Sequence, residues 1–599
     1  MPIIKIISRW NHKRLEQRRQ ARLKKLAPSY LRWVEDFGDL SAKQAAELRV
    51  RCRDTGPLIS VVMPTYNPNI RHLREAIDSV LGQIHGRVEL CIADDASTNP
   101  EVRATIKAFA LRDSRIKFVF REHNGHISAA SNSALELATG EFVALLDQDD
   151  LLANFALAAV ARAIADHPNA GLIYSDEDKI NDKGRRFDPH FKPEWNAVLL
   201  RSQNYICHLA VIRRSLINEV GGFRQGFEGS QDHDLILRCT EKLQNSQVVH
   251  IPLVLYHWRM HEGSTAQNPD CKPYAQINGC KAIQGHLDRL SVEAVVEKDG
   301  PFYRVHYALP EVLPRVSIIL LTRDRPELLR KCVQPLLDST KYDNFELIIV
   351  DNGTVDVDAL GLLNGFADDP RVKLLRDASP FNFSALNNRA VQHATGEYLC
   401  LMNNDIEVLQ EHWLNEMVSV AVQPGVGAVG ARLFYPDETI QHAGVMLGLT
   451  GIAGHPFKHQ KRDDSHYMAR PQLMQEMSAV TAACMLMPRH VYVQLGGLDE
   501  ANLAVAFNDV DLCLRIREAG FRIVYDPYAE FVHHESVSRG QEDTPEKSDR
   551  FQREERYMVQ RWGKLLACDP AYNPNLTLDE ESFSIAAQPR VRAHTWLAR

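Results

Sequence analysis

The sequence lacks the cysteine spacings that build a metal or disulfide framework. Eleven cysteines are scattered over 599 residues, their number is odd, and no two form a Cys-x-x-Cys pair. Zinc sites and disulfide-stapled secreted domains need closely spaced or evenly paired cysteines. The cysteine pattern therefore excludes those two classes and favours reduced thiols in a cytoplasmic enzyme.

Long apolar runs are also missing. No stretch approaches the ~18–20 apolar residues that cross a bilayer, and the opening MPIIKIISRW is too short in apolar residues for a signal peptide. The formal net charge of −7 argues against a general nucleic-acid binder, which is usually basic. The chain length predicts about three or four globular domains.

One local excess of charge stands at the N-terminus. Basic residues are dense from Lys5 to Lys25, with Glu16 as the only acid among them. Two interpretations stay open, a helix lying on anionic lipid with its isoleucines turned inward, or a solvated helix packing on its own domain. The first would place the chain on the inner face of the plasma membrane.

The chain repeats itself once, at long range. PLISVVMPTYN matches PRVSIILLTRD at an offset of 257, and VELCIADDAS matches FELIIVDNGT at the same offset. ATGEFVALLDQDD and ATGEYLCLMNNDI follow at an offset of 256, and VGGFRQGFEGSQDHDLILR matches LGGLDEANLAVAFNDVDLCLR at about 277. Because the order is kept over some 200 residues, this is a duplicated domain rather than a short-period solenoid.

Each copy alternates short β-branched runs with helical segments, which predicts an open α/β sheet with its ligand at the carboxyl ends of the strands. The linker KPYAQINGCKAIQGHLDRL predicts a helix, and a hairpin with its turn at Asp299-Gly300 follows. The expected division is a basic helical segment (1–56), a first domain (57–270), a linker (271–313), a second domain (314–548) and a helix with a tail (549–599).

The acids of DQDD stand where an apolar strand ends. Successive side chains on extended backbone point to opposite sides, so the carboxylates of Asp147, Asp149 and Asp150 are able to serve two ligands, for instance a divalent cation and a hydroxyl. The alternative is an acid-rich N-cap for the next helix. The recurrence of strand and acid in the second copy favours the functional interpretation.

Five motifs in the same order, twice over, resemble family 2 glycosyltransferases. They are a strand ending in PTYN, a strand ending in DD, an ATGEF segment, an acid-x-acid motif and a late QDHDL, and together they cover about 58–265 and 314–540. The resemblance implies two tandem domains of the GT-A fold, inverting transfer from a UDP-, dTDP- or GDP-sugar, and Mn²⁺ or Mg²⁺.

The resemblance also implies roles for particular residues. The nucleotide would be bound by Pro64, Thr65, Asn67, Asp94, Asp95 and Asp147 in the first copy, and by Thr322, Asp324, Asp351, Asn352 and Asn403 in the second. The cation would be held by Asp149 and His257 in the first copy, and by Asp405 and His533 in the second. The catalytic bases would be Asp232 and Asp509. A helix N-cap remains the alternative for Asp232, and a structural histidine remains the alternative for His257.

The second copy departs from the first at several of these positions. Asn403 replaces Asp147, Asp324 replaces Asn67, and His533 with His534 is expected to correspond to His257. The NND pattern is similar to that of bacterial rhamnosyltransferase-type members, so a second competent site with a different donor is expected. A second copy without catalytic function is the alternative.

These features predict a bifunctional glycosyltransferase that adds sugars to a bacterial surface polysaccharide such as O-antigen or capsule. The basic N-terminus fits a lipid-linked acceptor. Two alternatives remain, a single active transferase with a regulatory copy, and a glycan-binding scaffold that keeps the fold.

Overall fold

The computed structural model describes residues 30–53, 55–260, 273–462, 464, 466–534 and 544–598. The basic stretch from Lys5 to Lys25, and with it the predicted lipid-facing helix, lies outside this part of the chain. None of the described helices is long and apolar enough to span a membrane.

The first unit is a nine-stranded mixed sheet with the order β3-β2-β1-β4-β8-β6-β9-β5, and β7 pairs with β6. Its strands are β1 Ile59–Thr65, β2 Val88–Asp94, β3 Ile116–Phe120, β4 Phe142–Leu145, β5 Leu151–Leu152, β6 Leu172–Ile180, β7 Arg186–His190, β8 Ala210–Arg213 and β9 Val248–Arg259. Its helices are α1 Ala42–Cys52, α2 Ile70–Leu81, α3 Pro100–Arg112, α4 His126–Glu136, α5 Ala156–Asp166, α6 Ala197–Ser202, α7 Arg214–Glu219 and α8 Gln231–Thr240.

A helix and a hairpin connect the two units. They are α9 Pro273–Arg289, β10 Ala294–Asp299 and β11 Phe302–Tyr307. The linker helix and the hairpin that the sequence predicts are therefore both confirmed, and Gly300 takes a positive φ of 57° in the turn.

The second unit repeats the architecture in a ten-stranded sheet with the order β14-β13-β12-β15-β22-β17-β23-β16, and β18 and β21 pair at its sides. The strands of this sheet are β12 Val316–Thr322, β13 Phe345–Asp351, β14 Val372–Arg376, β15 Tyr398–Asn403, β16 Ile406–Val408, β17 Val426–Phe434, β18 Ile440–His442, β21 Gln475–Glu476, β22 Cys484–Pro488 and β23 Arg522–His533. Two further strands, β19 Met446–Leu447 and β20 Ala453–Gly454, pair with each other in a separate two-stranded sheet. Its helices are α10 Pro326–Ser339, α11 Val357–Phe366, α12 Phe383–Val391, α13 Trp413–Ala421, α14 Arg489–Gln494 and α15 Asn508–Glu518, followed by α16 Pro545–Leu566 and α17 Ala593–Ala598 in the C-terminal region.

The ATGE motif, which occurs once in each copy of the domain, has a structural explanation. The Glu89 carboxylate accepts hydrogen bonds from Ser60 Oγ at 2.6 Å and from the Thr139 backbone N–H at 2.6 Å. Although burial opposes it, these bonds and the Lys117 ammonium hold the pKa of Glu89 at about 2. Gly140 lies so close to β1 that a Cβ there would come within 2.7 Å of Leu58 O. Glu346 and Gly396 repeat the arrangement, so the phrase joins the start of the fourth strand to the first.

The C-terminal region packs against the first unit. Asn573 Nδ2 donates to both carboxylate oxygens of buried Asp176, at 3.0 and 2.9 Å, and to Lys192 O at 2.8 Å. Asn196 bonds the backbone of Glu476 on β21 through both ends of its amide. Because α16 begins at Pro545, the expected boundary at 548 falls inside a helix.

Candidate active sites

The first unit gathers its polar motifs at the carboxyl edge of the parallel strands. Pro64 and Thr65 end β1 and lie opposite Ala93 and Asp94 of β2. The Asn67 side chain accepts from Thr98 N at 2.8 Å, in a backbone conformation with φ of 44°. Asn67 thus ties the turn after β1 to the loop after β2.

Asp94 and Asp95 hold their own loop as well as lining the edge. Asp94 accepts from the Ser97 backbone N–H at 3.3 Å and pairs with Arg103 at 3.3 Å. Asp95 pairs with Arg121 at 2.8 Å and accepts from the Gly125 N–H at the start of α4. Both side chains are buried, and their contacts hold the loops after β2 and β3 at this edge of the sheet.

The DQDD segment follows β4 at the same edge. Gln148 pairs with the Tyr66 peptide through both ends of its amide, at 2.8 and 3.3 Å. Asp147 and Asp149 are partly exposed, whereas Asp150 is buried and accepts from Tyr256 Oη at 2.6 Å and the Arg259 backbone at 2.7 Å. Burial, with the adjacent Asp149 and Asp147 carboxylates, raises the pKa of Asp150 well above its ordinary value.

A histidine that the sequence analysis did not single out faces this segment. His208 Nε2 lies 3.8 Å from Asp147 Oδ2, and one ligand atom each from Asp147, Asp150 and His208 fall within 4.8 Å of one another. Glu177, Cys207 and His208 form a second such group. The sequence offered a signal for each group, since the acids of SDED interrupt the apolar run of β6 and the Cys207-His208 pair stands just before β8.

His257 lies outside the group formed by Asp147, Asp150 and His208. Its Nδ1 is 2.6 Å from Asp178 Oδ1, in a buried cluster where Tyr30 and Arg186 also contact Asp178. Neighbouring side chains alternate between the faces of a strand, and Tyr256 is the neighbour that contacts Asp150. The structure therefore does not bring His257 to the cluster of Asp147, Asp150 and His208.

Asp232 reaches the site through the loop before β8. It stands in the first turn of α8, partly exposed, and accepts from Asn204 Nδ2 at 2.8 Å. Asn204 in turn accepts from the Cys207 backbone N–H at 3.4 Å. Asp234, two residues on, is fully buried against Arg224 and Arg238 and supports the helix.

The second unit repeats the loop chemistry with different side chains. Asp324 accepts from the backbone of Val355 and Asp356 at 2.8 and 2.9 Å, which lowers the pKa of its carboxyl. Asp351 accepts from Thr354 N at 2.8 Å, and Asn352 donates to Asp377 O and Ser379 O. Thr322 Oγ1 accepts from Asn404 Nδ2 at 3.1 Å.

Three residues of the predicted second site do come together. His533 Nε2 lies 3.2 Å from Asp405 Oδ1 and 3.4 Å from Asn403 Nδ2. Asp509 Oδ2 accepts from Ala482 N at 3.0 Å, and Ala483 O accepts from Asn403 N at 3.0 Å. Burial raises the pKa of the Asp509 carboxyl.

The strand register corrects one equivalence between the copies. In the first unit β6 lies beside β9, and Glu177 pairs with Tyr256. The equivalent strands of the second unit are β17 and β23, and there Leu433 pairs with Phe531. One residue further, His257 corresponds to Val532, and His533 corresponds to Trp258. The expectation that His533 and His534 correspond to His257 is therefore wrong, because a sequence match of two histidines ignores which strand partners they face.

The same register aligns the loops before β8 and β22. Phe142 pairs with Arg213 and Tyr398 pairs with Pro488, so His208 corresponds to Ala483 and Cys207 to Ala482. Glu177 corresponds to Leu433 and Asp150 to Ile406. The ionisable groups around His208 thus have no ionisable equivalents in the second unit.

A family model, Glycosyl transferase family 2, matches residues 60–221 and 317–496, together more than half of the chain. The chain belongs to glycosyl transferase family 2. The predicted fold class, two tandem GT-A domains, is confirmed by the duplicated sheet and this double match. The two matches of the family 2 model end before the helices that carry Asp232 and Asp509.

Relatives of this family 2 chain include an uncharacterized protein y4gI of Sinorhizobium fredii, 51% identical over 90% of this chain and 60% of that protein. The O-antigen biosynthesis protein RfbC of Myxococcus xanthus is 39% identical over 92% of this chain and 42% of its own length. The chain thus spans about half the length of these curated relatives. A mannosyltransferase of Pyrobaculum calidifontis, solved with GDP-Man and Mn²⁺, aligns at a TM-score of 0.32 and 18% identity, covering 44% of this chain and 69% of that one.

Proposed function

We propose that the chain is a bifunctional inverting glycosyltransferase that transfers sugars from nucleotide-sugar donors to a bacterial surface polysaccharide such as O-antigen or capsule. The membership in family 2 and the likeness to a protein named for O-antigen biosynthesis support this class of product. The acceptor is a growing, lipid-linked glycan, and the second unit uses a different donor, of the rhamnosyl type.

One observation carries the proposal. In each unit, a single loop links the proposed base to the acidic segment after the fourth strand. In the first unit, Asp232 contacts Asn204, four residues before His208, which faces Asp147. In the second unit, Asp509 contacts Ala482, and the next residue bonds the backbone of Asn403. Duplicated contacts of this kind are what two copies of one chemistry require.

The chemistry assigned to these acids is proton acceptance. An acceptor hydroxyl is a poor nucleophile, so a positioned carboxylate takes its proton while the oxygen attacks the anomeric carbon from the face opposite the leaving nucleoside diphosphate. A raised pKa brings a carboxylate closer to the proton affinity that a general base needs near neutral pH. Burial gives Asp509 such a raised pKa.

The donor atoms fit a divalent cation in both units. Two carboxylates and an imidazole are grouped at Asp147, Asp150 and His208, and one carboxylate and an imidazole at Asp405 and His533. Such oxygen and nitrogen ligands suit Mn²⁺ or Mg²⁺. When bound, the cation would neutralise the charge that gathers on the departing diphosphate.

The test is transfer and hydrolysis of UDP-, dTDP- and GDP-sugars by the full chain and by two base variants. We expect Asp232→Asn to abolish one transfer and Asp509→Asn the other, by at least about a hundredfold, with nucleotide binding retained. The matched controls are Asp113→Asn and Asp369→Asn, which stand at equivalent positions of the two copies, remote from both bases, each beside its own arginine. If each base variant still forms both linkages, the assignments of the bases fail.

A second candidate is a single active transferase with a regulatory or glycan-binding second copy. The observation that favours it is the loss of ionisable groups around Ala483 described above. Under this alternative, Asp509→Asn leaves every transfer unchanged while Asp232→Asn removes the only one.

We also propose that the protein works in the cytoplasm at the inner face of the membrane, where a lipid-linked acceptor would be found. Support comes only from the basic residues between Lys5 and Lys25. Co-flotation of the full chain with vesicles containing anionic lipid, lost at high salt, is the expected result. No flotation at low salt would contradict the membrane assignment alone.

A further inference from the structure

The ring of His208 is fixed in one orientation by aromatic neighbours. It stacks on Tyr256 with the ring centroids 4.5 Å apart and the planes 11° from parallel, and Trp258 packs against it at 5.5 Å. Its side chain is 16% exposed, so one part of the ring reaches the site while the rest is enclosed. An imidazole held in this way loses little conformational freedom when it binds a ligand.

The polar neighbours decide which ring nitrogen faces the site. Nδ1 lies 3.3 Å from Glu177 Oε2 and 3.3 Å from Cys207 Sγ, on the enclosed side. With Nδ1 beside the Glu177 carboxylate, Nε2 is the ring nitrogen that faces Asp147. A carboxylate at Nδ1 is the usual support of an imidazole that binds a metal ion through Nε2.

This arrangement is that of a metal-binding histidine with its supporting carboxylate. Two atoms bound to one transition-metal ion, each about 2.1 Å from it, lie up to about 4.2 Å apart. The 3.8 Å between His208 Nε2 and Asp147 Oδ2 falls within that limit. Asp150 lies in the same group and is oriented by Tyr256, the residue on which His208 stacks.

We propose that His208 is the nitrogen ligand of the divalent cation in the first unit, acting with Asp147. The inference rests on the proposed function for what the cation does in the reaction. The inference itself concerns only how the cation is bound. It replaces His257, which the structure places with Asp178 and away from this group.

The second unit supplies its imidazole from a different strand. Ala483 stands at the position of His208, and His533, which faces Asp405 at 3.2 Å, stands at the position of Trp258. Each unit therefore presents one imidazole nitrogen to the acidic segment. In the first unit the imidazole comes from the loop before β8, and in the second unit it comes from the end of β23. Because the first unit groups two carboxylates with its imidazole, it is expected to bind the cation more tightly.

The experiment is a titration of the full chain with Mn²⁺ alone, without nucleotide, followed by the electron paramagnetic resonance signal of free Mn²⁺. Two classes of site are expected in the wild type. His208→Ala is expected to weaken the tighter class by at least about tenfold and to leave the other unchanged. His533→Ala is expected to do the reverse. His257→Ala, the matched control, is expected to leave both classes unchanged.

A second variant distinguishes the loss of a metal ligand from misfolding of the protein. His208→Gln keeps a polar side chain of similar size beside Glu177 but has no imidazole lone pair, so it is expected to lose the tighter class while its thermal unfolding stays close to the wild type. Unchanged Mn²⁺ binding in folded His208→Ala or His208→Gln, or loss of the tighter class in His257→Ala, overturns the proposal.

Failure of the proposed function gives a different result. If no nucleotide sugar is turned over by the wild type, yet Mn²⁺ binding depends on His208, the transferase assignment fails and the metal ligand stands. If sugars are transferred while folded His208 variants bind Mn²⁺ as the wild type does, the ligand assignment fails and the function stands.

Discussion

Individual carboxylates in this protein differ in function because their surroundings differ. Asp324 and Asp94 accept backbone hydrogen bonds and hold loops, whereas Asp147 faces the candidate site with its side chain about half exposed. Asp526 is a third kind. It is fully buried, its Oδ1 accepts from Tyr528 N at 3.0 Å, and its Oδ2 has no hydrogen-bond partner within the described part of the chain.

Asp526 makes stability depend on pH. Burial, with the nearby Glu416 carboxylate, raises the pKa of Asp526 to about 7, against about 3.9 in an unfolded chain. Between these values the folded state binds the extra proton, so stability falls as pH rises and the penalty is complete above pH 7. We expect Asp526→Asn to match the wild type near pH 4 and to exceed it at pH 8 by on the order of 4 kcal/mol, as measured by urea unfolding.

The exposed acid Asp358 provides the control. Asp358→Asn is expected to change stability little at either pH. An Asp526→Asn variant that is no more stable than the wild type at pH 8 would show that this carboxyl is ionised in the folded protein at little cost.

At the scale of elements, the proposed second base depends on a helix outside the family 2 match. Glu554 on α16 is buried and accepts from the backbone N–H groups of Val505 and Ala506, both at 3.0 Å. These residues immediately precede α15, where Asp509 stands in the first turn. The long C-terminal helix thus fixes the loop that positions the base.

Removal of the Glu554 carboxylate should therefore impair one reaction only. We expect Glu554→Ala to lower the second transfer by at least about tenfold, since two buried N–H groups lose their acceptor at a cost of about 1–3 kcal/mol each. The first transfer should be unchanged. The matched control is Gln552→Ala, two residues earlier on the exposed side of the same helix. Equal loss of both transfers would contradict a local positioning role.

At the scale of the whole molecule, the two units form one folded body. Buried residues of both units, from Val62 to Phe531, belong to a single continuous hydrophobic cluster. The C-terminal region adds polar contacts across the chain, because Asn573 and Asn575 both donate to Asp176 in the first unit. The fold is therefore expected to lose its structure cooperatively rather than unit by unit.

Calorimetry of the full chain tests this expectation. We expect one unfolding transition, and we expect Asn573→Ala to lower the stability of both units together by on the order of 2–3 kcal/mol, because the buried Asp176 carboxylate loses donors. Gln588→Ala, at an exposed position of the same tail, should have no effect. Two well-separated transitions in the wild type would show that the units unfold independently.

The duplicated domain, the α/β class and most of the strands followed from sequence because they depend on local pattern. β-branched runs such as ISVVMPT and SIILLT become central parallel strands, and polar residues such as Thr65, Asp94 and Asp147 stand at the ends where such strands meet. Pattern also located Asp405 and Asp509 near a common edge. The strand-by-strand correspondence of the copies did not follow, since a sequence match has no information on hydrogen-bonded partners.

The sequence by itself determined that two similar sheets each carry acids at one edge, because strand periodicity and motif order are properties of the chain. Only the tertiary structure decided which histidine meets those acids. His208 lies in the loop before an antiparallel strand, some 60 residues after Asp147, and His533 lies about 130 residues after Asn403. Contacts between side chains so distant along the chain depend on sheet order and strand direction, and these are fixed only when the core packs.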